Sequence, residues 1–178
     1  MDGMVYATIK KDVIPEASMI RSATCADAPT IAEIYNYYVL NSVITFEEER
    51  ISIAAMQERI AATQHSYPWL VYEDNGSIVG YAYASQWKSR CSYRNSVEST
   101  VYLHKDCTGN KIGSRLYGEL VDQLEIAGFH TVIGGIALPN EGSVALHEKL
   151  GFKKIAHFKE VGWKFQRWVD VGYWQLIL

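Results

Sequence analysis

The sequence has few cysteines and lacks a long apolar stretch. Its three cysteines, Cys25, Cys91 and Cys107, are an odd number without the spacing of a zinc site. They predict neither a disulfide framework nor a bound metal, and they favour a reducing, cytoplasmic environment. The longest apolar runs are far shorter than the ~20 residues that a membrane-spanning helix needs. Residues 1–18 carry charges and lack the apolar core of a signal peptide.

Basic residues are also too few for a nucleic-acid partner. The chain has 17 lysines and arginines against 20 acidic residues, a net charge of −3, whereas nucleic-acid binding favours a basic face. Hydrophobic residues make up 48% of the 178 residues and charged residues 21%, as in an ordinary globular domain. Because there is no repeat or linker, we predict one domain over residues 19–178. Residues 1–18 are expected to form an extension that is disordered or packed only at its edge.

The hydrophobic pattern predicts a mixed α/β sheet with helices on both faces. Asn75-Gly76 is a strong hairpin signal, and the second half of the chain alternates strands with helices. Expected strands are Met19 to Ala23, Pro68 to Tyr72, Ile78 to Tyr83, Val97 to Leu103, Thr131 to Ala137, Lys153 to Val161 and Val169 to Leu178. Val43 to Phe46 is expected to form a short extended piece. Four helices are expected. The first contains Ile31 to Tyr38, the second begins near Ser52, the third runs from Ile112 to Gly128, and the fourth runs from Glu141 to Leu150.

A short polar turn, Asp106 to Gly113, joins the expected strand Val97 to Leu103 to the helix that follows. Gly109 and Asn110 are residue types that can adopt positive φ at little steric cost, and successive N–H groups in such a turn converge on an anion. Lys111 adds positive charge at the helix start. The turn therefore indicates a pyrophosphate cradle. The alternative is a plain loop, because neither a P-loop triplet nor G-x-G-x-x-G is present.

A single carboxylate, Glu98, lies on the expected strand just before this turn. A carboxylate beside a pyrophosphate cradle can serve as the base for a nucleophile that attacks a phosphate-bearing carrier. The two features together suggest group transfer from such a carrier to a nucleophile that loses a proton. The alternative is that Glu98 is an edge-strand charge that faces solvent.

Short motifs along the chain carry a family resemblance. They are Thr45-Phe46-Glu47, Trp87-Lys88-Ser89-Arg90, Tyr93-Arg94, Val97-Glu98-Ser99-Thr100-Val101-Tyr102, Leu138-Pro139-Asn140-Glu141-Gly142-Ser143, Leu146-His147-Glu148-Lys149-Leu150-Gly151-Phe152, Gly162-Trp163-Lys164-Phe165, Arg167-Trp168 and Asp170-Val171-Gly172-Tyr173-Trp174. Each is weak alone. Their order and spacing resemble the phosphinothricin/methionine sulfoximine branch of the GNAT superfamily of acetyl-CoA-dependent N-acetyltransferases. The resemblance runs from about Met19 to the C-terminus and implies the GNAT fold.

In this superfamily an R/Q-x-x-G-x-G/A loop binds the pyrophosphate of acetyl-CoA. Aligned on Gly113, this chain has Thr108 in place of the leading Arg/Gln and Lys111 in place of the middle glycine. The resemblance implies acetyl-CoA as co-substrate and no metal. The residues implied to contact acetyl-CoA are Val101, Tyr102, Leu103, Gly109, Asn110, Lys111, Ile112, Gly113, Ser114, Asn140 and Ser143. The backbone of Val101 to Leu103 is expected to bind the acyl oxygen, since GNAT strands splay apart there.

Glu98 and His147 are the catalytic residues that the resemblance implies. Glu98 would take a proton from the acceptor ammonium, directly or through water. His147 follows Asn140 by seven residues, where many GNAT members carry a tyrosine. It would hydrogen-bond or protonate the leaving thiolate, or relay a proton. The alternative is that His147 is structural, on a short helix.

The acceptor site is expected around the basic run from Lys88 to Arg94. The resemblance implies acceptor contacts by Phe46, Trp87, Arg90, Tyr93, Arg94, Glu98, Ser99 and Thr100. An arginine fork suits a carboxylate or a phosphinate. Trp69 is a further candidate for the wall of the site. Lys164 and Arg167 are expected to serve folding or a dimer contact.

These features predict an enzyme that moves acetyl from acetyl-CoA to the α-amine of phosphinothricin, methionine sulfoximine or methionine sulfone in a ternary complex. Herbicide resistance would follow from acetylation of phosphinothricin. The resemblance also implies a homodimer. One alternative is an acetyltransferase for a peptide N-terminus, a polyamine or an aminoglycoside, against which the basic run argues. Another is a CoA-binding sensor without catalysis, against which Glu98 and His147 argue.

Overall fold

The computed structural model describes residues 17–178. Within them the chain forms seven strands: β1 (Ser18–Ser22), β2 (Trp69–Asp74), β3 (Ser77–Gln86), β4 (Ser96–Leu103), β5 (Thr131–Leu138), β6 (Lys153–Lys164) and β7 (Arg167–Ile177). The same residues form four α-helices: α1 (Ala28–Asn41), α2 (Ile53–Gln64), α3 (Ile112–Ile126) and α4 (Glu141–Lys149). Strand β1 begins at Ser18, so only the end of the extension predicted over residues 1–18 belongs to the described residues.

The strands of the described chain form one mixed sheet in the order β1-β2-β3-β4-β5-β7-β6. Neighbouring strands are antiparallel except β4 and β5, which run parallel. The turn between β2 and β3 has Asn75 and Gly76 at positive φ, 49° and 76°. Both central residues of a type I′ hairpin turn require such values. The predicted mixed sheet and its hairpin are therefore confirmed.

Two strand predictions differ from the structure. The segment Val43 to Phe46 is irregular rather than extended in a strand, and the Nζ atom of Lys164 donates a hydrogen bond to the carbonyl of Thr45 at 2.8 Å. The lysine side chain thus makes the hydrogen bond to this carbonyl that a neighbouring strand would otherwise make. Strands β6 and β7 are longer than predicted because they meet at a two-residue turn, Phe165 and Gln166 (φ 50° and 58°). Neither residue is the glycine or asparagine that marks such a turn in a sequence.

Alternate residues of the central strands face opposite sides of the sheet. On one side, Leu70 and Val97 pack in a core with Leu116 of α3. On the other side, Trp69 packs in a second core with Ile31 of α1 and with α2. The sheet therefore buries both of its faces under helices, as the sequence predicts.

Between residues 17 and 178, no helix is long and apolar enough to span a membrane. The same stretch contains no cluster of three or more metal-ligating side chains. Its three cysteines are free thiols.

Candidate active site

The two parallel strands at the centre of the sheet separate partway along their length. Strand β4 pairs with β5 only as far as Glu98, which lies opposite Ile133. In the described structure β4 continues to Leu103 and β5 to Leu138 without further pairing between them. Backbone polar groups of β4 that face β5 are therefore left to bind something else. This separation is the splay that the family resemblance implies.

The separated strands open onto a groove of about 440 Å³. Nine residues that the sequence analysis assigned to acetyl-CoA line it: Val101, Tyr102, Leu103, Gly109, Lys111, Gly113, Ser114, Asn140 and Ser143. Asn140 also caps α4, because its side chain accepts a hydrogen bond from the Ser143 N–H at 3.1 Å. The two other residues predicted to contact acetyl-CoA do not line this groove. Asn110 is exposed outside the groove wall, and the side chain of Ile112 is buried in the core, where α3 must place its apolar stripe.

The turn before α3 has positive φ at Gly109 (84°) and at Lys111 (60°), but not at Asn110. Lys111 therefore occupies the left-handed region where the family motif has glycine. That conformation costs a residue with a side chain about 1–2 kcal/mol, which explains the usual glycine. The first N–H groups of α3 have no intrahelical partner, and the Nζ atom of Lys149 lies 3.2 Å from Ser114 Oγ beside them. This end of the groove therefore fits a pyrophosphate.

Glu98 is half-buried in the wall of a cavity of about 310 Å³. This cavity and the groove share wall residues, among them Val101 and Asn140. Burial raises the pKa of Glu98, and the positive charge of Lys88 opposes that rise. On β5 a Cβ atom at Gly135 would lie 3.4 Å from Glu98 Oε1, so the carboxylate packs against the backbone of this glycine. A carboxylate with a raised pKa is a stronger base, and this one lies beside the groove.

His147 lies in the wall of the same cavity and is only 4% exposed. Its Nδ1 atom is 2.8 Å from the carbonyl oxygen of Ser143, and its Nε2 atom is 3.0 Å from the hydroxyl of Tyr117. The Tyr117 hydroxyl is in turn 2.6 Å from Ser99 Oγ. Burial lowers the pKa of His147, and the bond to the Ser143 carbonyl opposes that change. A direct bond from His147 to a leaving thiolate would have to replace one of these two partners.

A second cavity, of about 490 Å³, continues from Glu98 towards the β6–β7 hairpin. Its wall includes Phe46, Trp163 and Tyr173. The ring of Phe46 lies so close to Gly162 that a Cβ atom there would collide with it. The aromatic wall beside a carboxylate suits the side chain of a small amine.

The segment that carries Phe46 is held by side chains from two other elements. The Tyr35 hydroxyl lies 2.7 Å from Thr45 Oγ1, and Lys164 donates to the Thr45 carbonyl at 2.8 Å. Lys164 is 1% exposed, which supports a folding role for it, one of the two predicted alternatives. Two buried contacts on one residue therefore fix the position of the neighbouring ring.

The structure brings five of the predicted acceptor residues to these cavities or next to them: Phe46, Trp87, Glu98, Ser99 and Thr100. Trp87 lies next to the site because its ring packs edge-on against the ring of Tyr173, with the two ring centroids 5.7 Å apart. Lys88 Nζ lies 4.7 Å from the centre of the Trp87 ring. The start of the basic run is therefore next to the aromatic wall.

The rest of the basic run does not reach these cavities. Arg90, Tyr93 and Arg94 are exposed and line none of the three spaces described above. A 3-10 turn, Cys91–Tyr93, redirects the chain between β3 and β4 and carries these side chains outward. Trp69 is likewise not a wall residue, because it is buried in the core under α1 and α2.

The sequence analysis does not single out Tyr117 or Tyr173 as site residues. Tyr117 follows Leu116 in the buried stripe of α3, and that spacing indicates core. Tyr173 reaches the site because β7 pairs with β5 and places it opposite Gly135. The sequence signal for this contact is the pair Gly134-Gly135 in β5, since a glycine inside a strand often marks a place where another group approaches the backbone closely.

Comparison with known proteins places the chain in a family. The acetyltransferase (GNAT) domain matches residues 20–172. The phosphinothricin N-acetyltransferase of Streptomyces viridochromogenes is 40% identical over 88% of this chain and 85% of its own length. The L-methionine sulfoximine/L-methionine sulfone acetyltransferase of Salmonella typhimurium is 37% identical over 89% of this chain and 94% of its own length. The crystal structure of a phosphinothricin acetyltransferase from Sinorhizobium meliloti in complex with acetyl-CoA has a TM-score of 0.88 and 38% identity, covering 91% of this chain and 89% of that one.

The chain therefore belongs to the GNAT acetyltransferase family. It is an acetyl-CoA-dependent N-acetyltransferase, and the predicted family, fold class and co-substrate are confirmed.

Proposed function

We propose that the enzyme acetylates the α-amine of a small amino-acid analogue such as phosphinothricin, methionine sulfoximine or methionine sulfone. The observation that carries this proposal is the position of Glu98. It lines both the cavity that joins the cofactor groove and the outer cavity with aromatic walls. Relatives that are named for these substrates share 37% and 40% identity with the chain, which supports the same acceptor class.

The groove provides separate regions for the parts of the co-substrate. The turn at Gly109 and Lys111, with the start of α3, would hold the pyrophosphate, and Asn140 and Ser143 would contact the pantetheine arm. Bound acetyl-CoA supplies an acetyl group activated as a thioester. Backbone N–H groups of residues 101–103 that face away from β3 would donate hydrogen bonds to the acyl oxygen as it gains negative charge.

Glu98 would act as the base. An amino-acid ammonium is mostly protonated at pH 7 and has no lone pair with which to attack. Glu98 would take its proton directly or through one water, and a raised pKa improves a carboxylate for this task. Because Glu98 lines both the cavity that joins the groove and the outer cavity, we propose direct transfer in a ternary complex.

Lys88 is the basic side chain that we assign to the acidic group of the acceptor. Its charge acts on Glu98, and its ammonium lies over Trp87 beside the aromatic wall. An acceptor carboxylate would pair with Lys88 while the acceptor side chain contacts Phe46 and Tyr173. A polyamine would bring further positive charge to Lys88, which disfavours that class of acceptor.

We also propose a homodimer that works in the cytoplasm. Five apolar side chains of the β6–β7 hairpin are each 50–58% exposed: Phe158, Val161, Trp163, Phe165 and Trp168. A concentration of exposed apolar side chains on one hairpin favours contact with a second copy. The three free thiols are consistent with a reducing compartment. Acetylation of phosphinothricin there would give herbicide resistance.

The test is a free-thiol release assay with acetyl-CoA and a panel of acceptors: L-phosphinothricin, methionine sulfoximine, methionine sulfone, spermidine and a short peptide. We expect rapid release with the first three. Release with spermidine or the peptide alone would overturn the acceptor class. No release with any acceptor, together with acetyl-CoA binding, would indicate a CoA-binding sensor instead.

A further inference from the structure

The hydrogen-bond partners of His147 determine where its proton lies. Nδ1 faces the carbonyl oxygen of Ser143 at 2.8 Å, whereas the Ser143 hydroxyl is farther away, at 3.5 Å. A carbonyl oxygen only accepts, so the shorter contact places the hydrogen on Nδ1. In a neutral imidazole the lone pair is then on Nε2. A ring turned by 180° would place carbon atoms against both oxygen partners, so the orientation is determined as well.

The direction of the remaining bonds follows from this assignment. Because Nε2 accepts, the Tyr117 hydroxyl donates to it across 3.0 Å. The single proton of Tyr117 is then engaged, so its oxygen accepts from Ser99 Oγ at 2.6 Å. The other contact of Ser99, with the carbonyl of Ile133, is longer, at 3.3 Å. The hydrogen bonds therefore all point one way: Ser99 donates to Tyr117, and Tyr117 donates to His147.

The surroundings hold this chain rigidly. The rings of Tyr117 and Phe152 stack with centroids 5.6 Å apart, and His147 packs edge-on against both. From strand β5, a Cβ atom at Gly134 would collide with the imidazole. Among the titratable groups, Tyr117 faces the ring directly, and Glu98 acts on Tyr117 through its charge. The elements that pack against His147 thus leave it little room to turn.

We propose that Tyr117 is a positioning residue whose hydroxyl holds the Nε2 lone pair of His147 in line with the chain and connects it through Ser99 to the cavity of about 310 Å³ that Glu98 lines. Ser99 and His147 both line that cavity with Glu98. In its resting form His147 therefore takes up a proton and does not give one. One proton enters at Ser99 Oγ, each hydroxyl passes its own proton onward, and one N–H bond forms at Nε2, so both hydroxyls remain neutral.

This role in proton uptake rests on the proposed acetyl transfer. Acetylation of an ammonium removes two protons from its nitrogen, of which one ends on the thiol and one is released. Glu98 provides a place for one of them. The chain that ends at His147 provides a place for the other, since Ser99 and His147 line the same cavity as Glu98.

The first experiment is ¹⁵N NMR of histidine-labelled protein, with the His147 signals assigned by their loss in His147→Gln. We expect Nδ1 to be protonated and Nε2 to be unprotonated. In Tyr117→Phe the neutral form loses the hydrogen bond at Nε2, so the pKa of His147 should rise, while the Ser143 carbonyl keeps the proton of the neutral ring on Nδ1. Ser99→Ala should leave the tautomer unchanged, because Tyr117 still donates. A wild-type imidazole with its proton on Nε2 would overturn the proposal.

The second experiment is steady-state kinetics with the best acceptor. Loss of a buried hydrogen bond predicts that Tyr117→Phe lowers kcat about tenfold while KM for acetyl-CoA stays constant. Ser99→Ala should also lower kcat. Tyr81→Phe, which alters a buried tyrosine of the other core, is the matched control and should match the parent enzyme. A folded Tyr117→Phe with unchanged kcat, or with a lower kcat but unchanged His147 signals, would contradict the proposal. If no acceptor is acetylated, the proposed function fails, whereas the NMR result still decides the positioning role.

Discussion

Glu98 lies directly opposite Ile133 in the last parallel pair between β4 and β5. The carboxylate therefore lies where the sheet opens, between the cofactor groove and the outer cavity. One residue further along β4, the hydroxyl of Ser99 lies 3.3 Å from the Ile133 carbonyl. The proposed base, Glu98, and the entry of the proposed proton chain, Ser99, are therefore consecutive residues at the point where β4 and β5 separate.

Glu98→Gln tests the base. The amide keeps the shape of the side chain but cannot take a proton, so kcat at pH 7 should fall by at least about a hundredfold. The deficit should shrink at high pH, where more of the acceptor is already unprotonated. Acetyl-CoA binding, measured by titration calorimetry, should persist. Glu125→Gln, on the exposed end of α3, is the control. Equal turnover of Glu98→Gln and the parent enzyme at pH 7 would remove Glu98 from the mechanism.

Lys88→Met tests the electrostatic link between Lys88 and Glu98. Burial raises the pKa of Glu98 and Lys88 lowers it. Without Lys88 the pKa should therefore rise further, and Glu98 should become protonated at a higher pH. We expect the acid limb of the kcat/KM profile to move to higher pH, with a raised KM for the acceptor. Lys153→Met, at the exposed start of β6, should leave the limb in place. A limb that does not move, or that moves to lower pH, would rule out the link.

Gly162→Ala tests how Phe46 forms the wall of the outer cavity. A Cβ atom at Gly162 would collide with the Phe46 ring, so the ring must move. KM for the acceptor should rise severalfold, while KM for acetyl-CoA should stay constant. Gly118→Ala in α3 is the matched control, since its Cβ would lie 3.9 Å from Leu150 Cδ2 in ordinary contact. That variant should gain up to about 1 kcal/mol in the free energy of unfolding, measured by urea denaturation.

Lys111→Met tests whether charge supports cofactor binding at the altered turn. The variant keeps a side chain at φ 60° but removes the ammonium beside the start of α3. KM for acetyl-CoA should rise severalfold, and it should depend less on salt concentration than in the parent enzyme, because a screened attraction has been lost. Lys111→Gly distinguishes backbone from charge: it relieves the left-handed conformation and should be more stable than Lys111→Met. The same salt dependence in both enzymes would argue against a charge role.

Trp168→Glu tests the proposed homodimer. The substitution places a charge in the exposed apolar surface of the β6–β7 hairpin. We expect the parent protein to sediment as a dimer and this variant as a monomer. Ile126→Glu changes a side chain that is 86% exposed at the end of α3, and it should remain dimeric. A monomeric parent protein at micromolar concentration would refute the homodimer.

Several features could be predicted from the sequence because they depend on local physics. The turn at Asn75 and Gly76 was predicted because few residues accept positive φ at both positions. Helix α3 was predicted because its apolar residues recur at helical spacing. Glu98 is predictable as a candidate base because it is the single charge of an apolar strand that leads into a polar turn.

Other features depend on contacts between residues that are distant in the sequence. Arg90 and Arg94 follow Trp87 closely in the chain, but the 3-10 turn directs them outward. Tyr117 has the spacing of a core residue, and only the packing of α3 beside β4 and α4 places its hydroxyl between Ser99 and His147. Chain order does not encode these distances, because they are set by how the helices pack on the sheet.

The sequence by itself determined the family, the co-substrate and the type of reaction, because the order of several motifs along one chain is distinctive. The tertiary structure decided which of those residues meet. The parallel pairing of β4 with β5 stops at Glu98 and opens the groove, and the pairing of β7 with β5 brings Tyr173 opposite Gly135. Strand register and its interruption are properties of paired strands, so a single strand's sequence does not specify them.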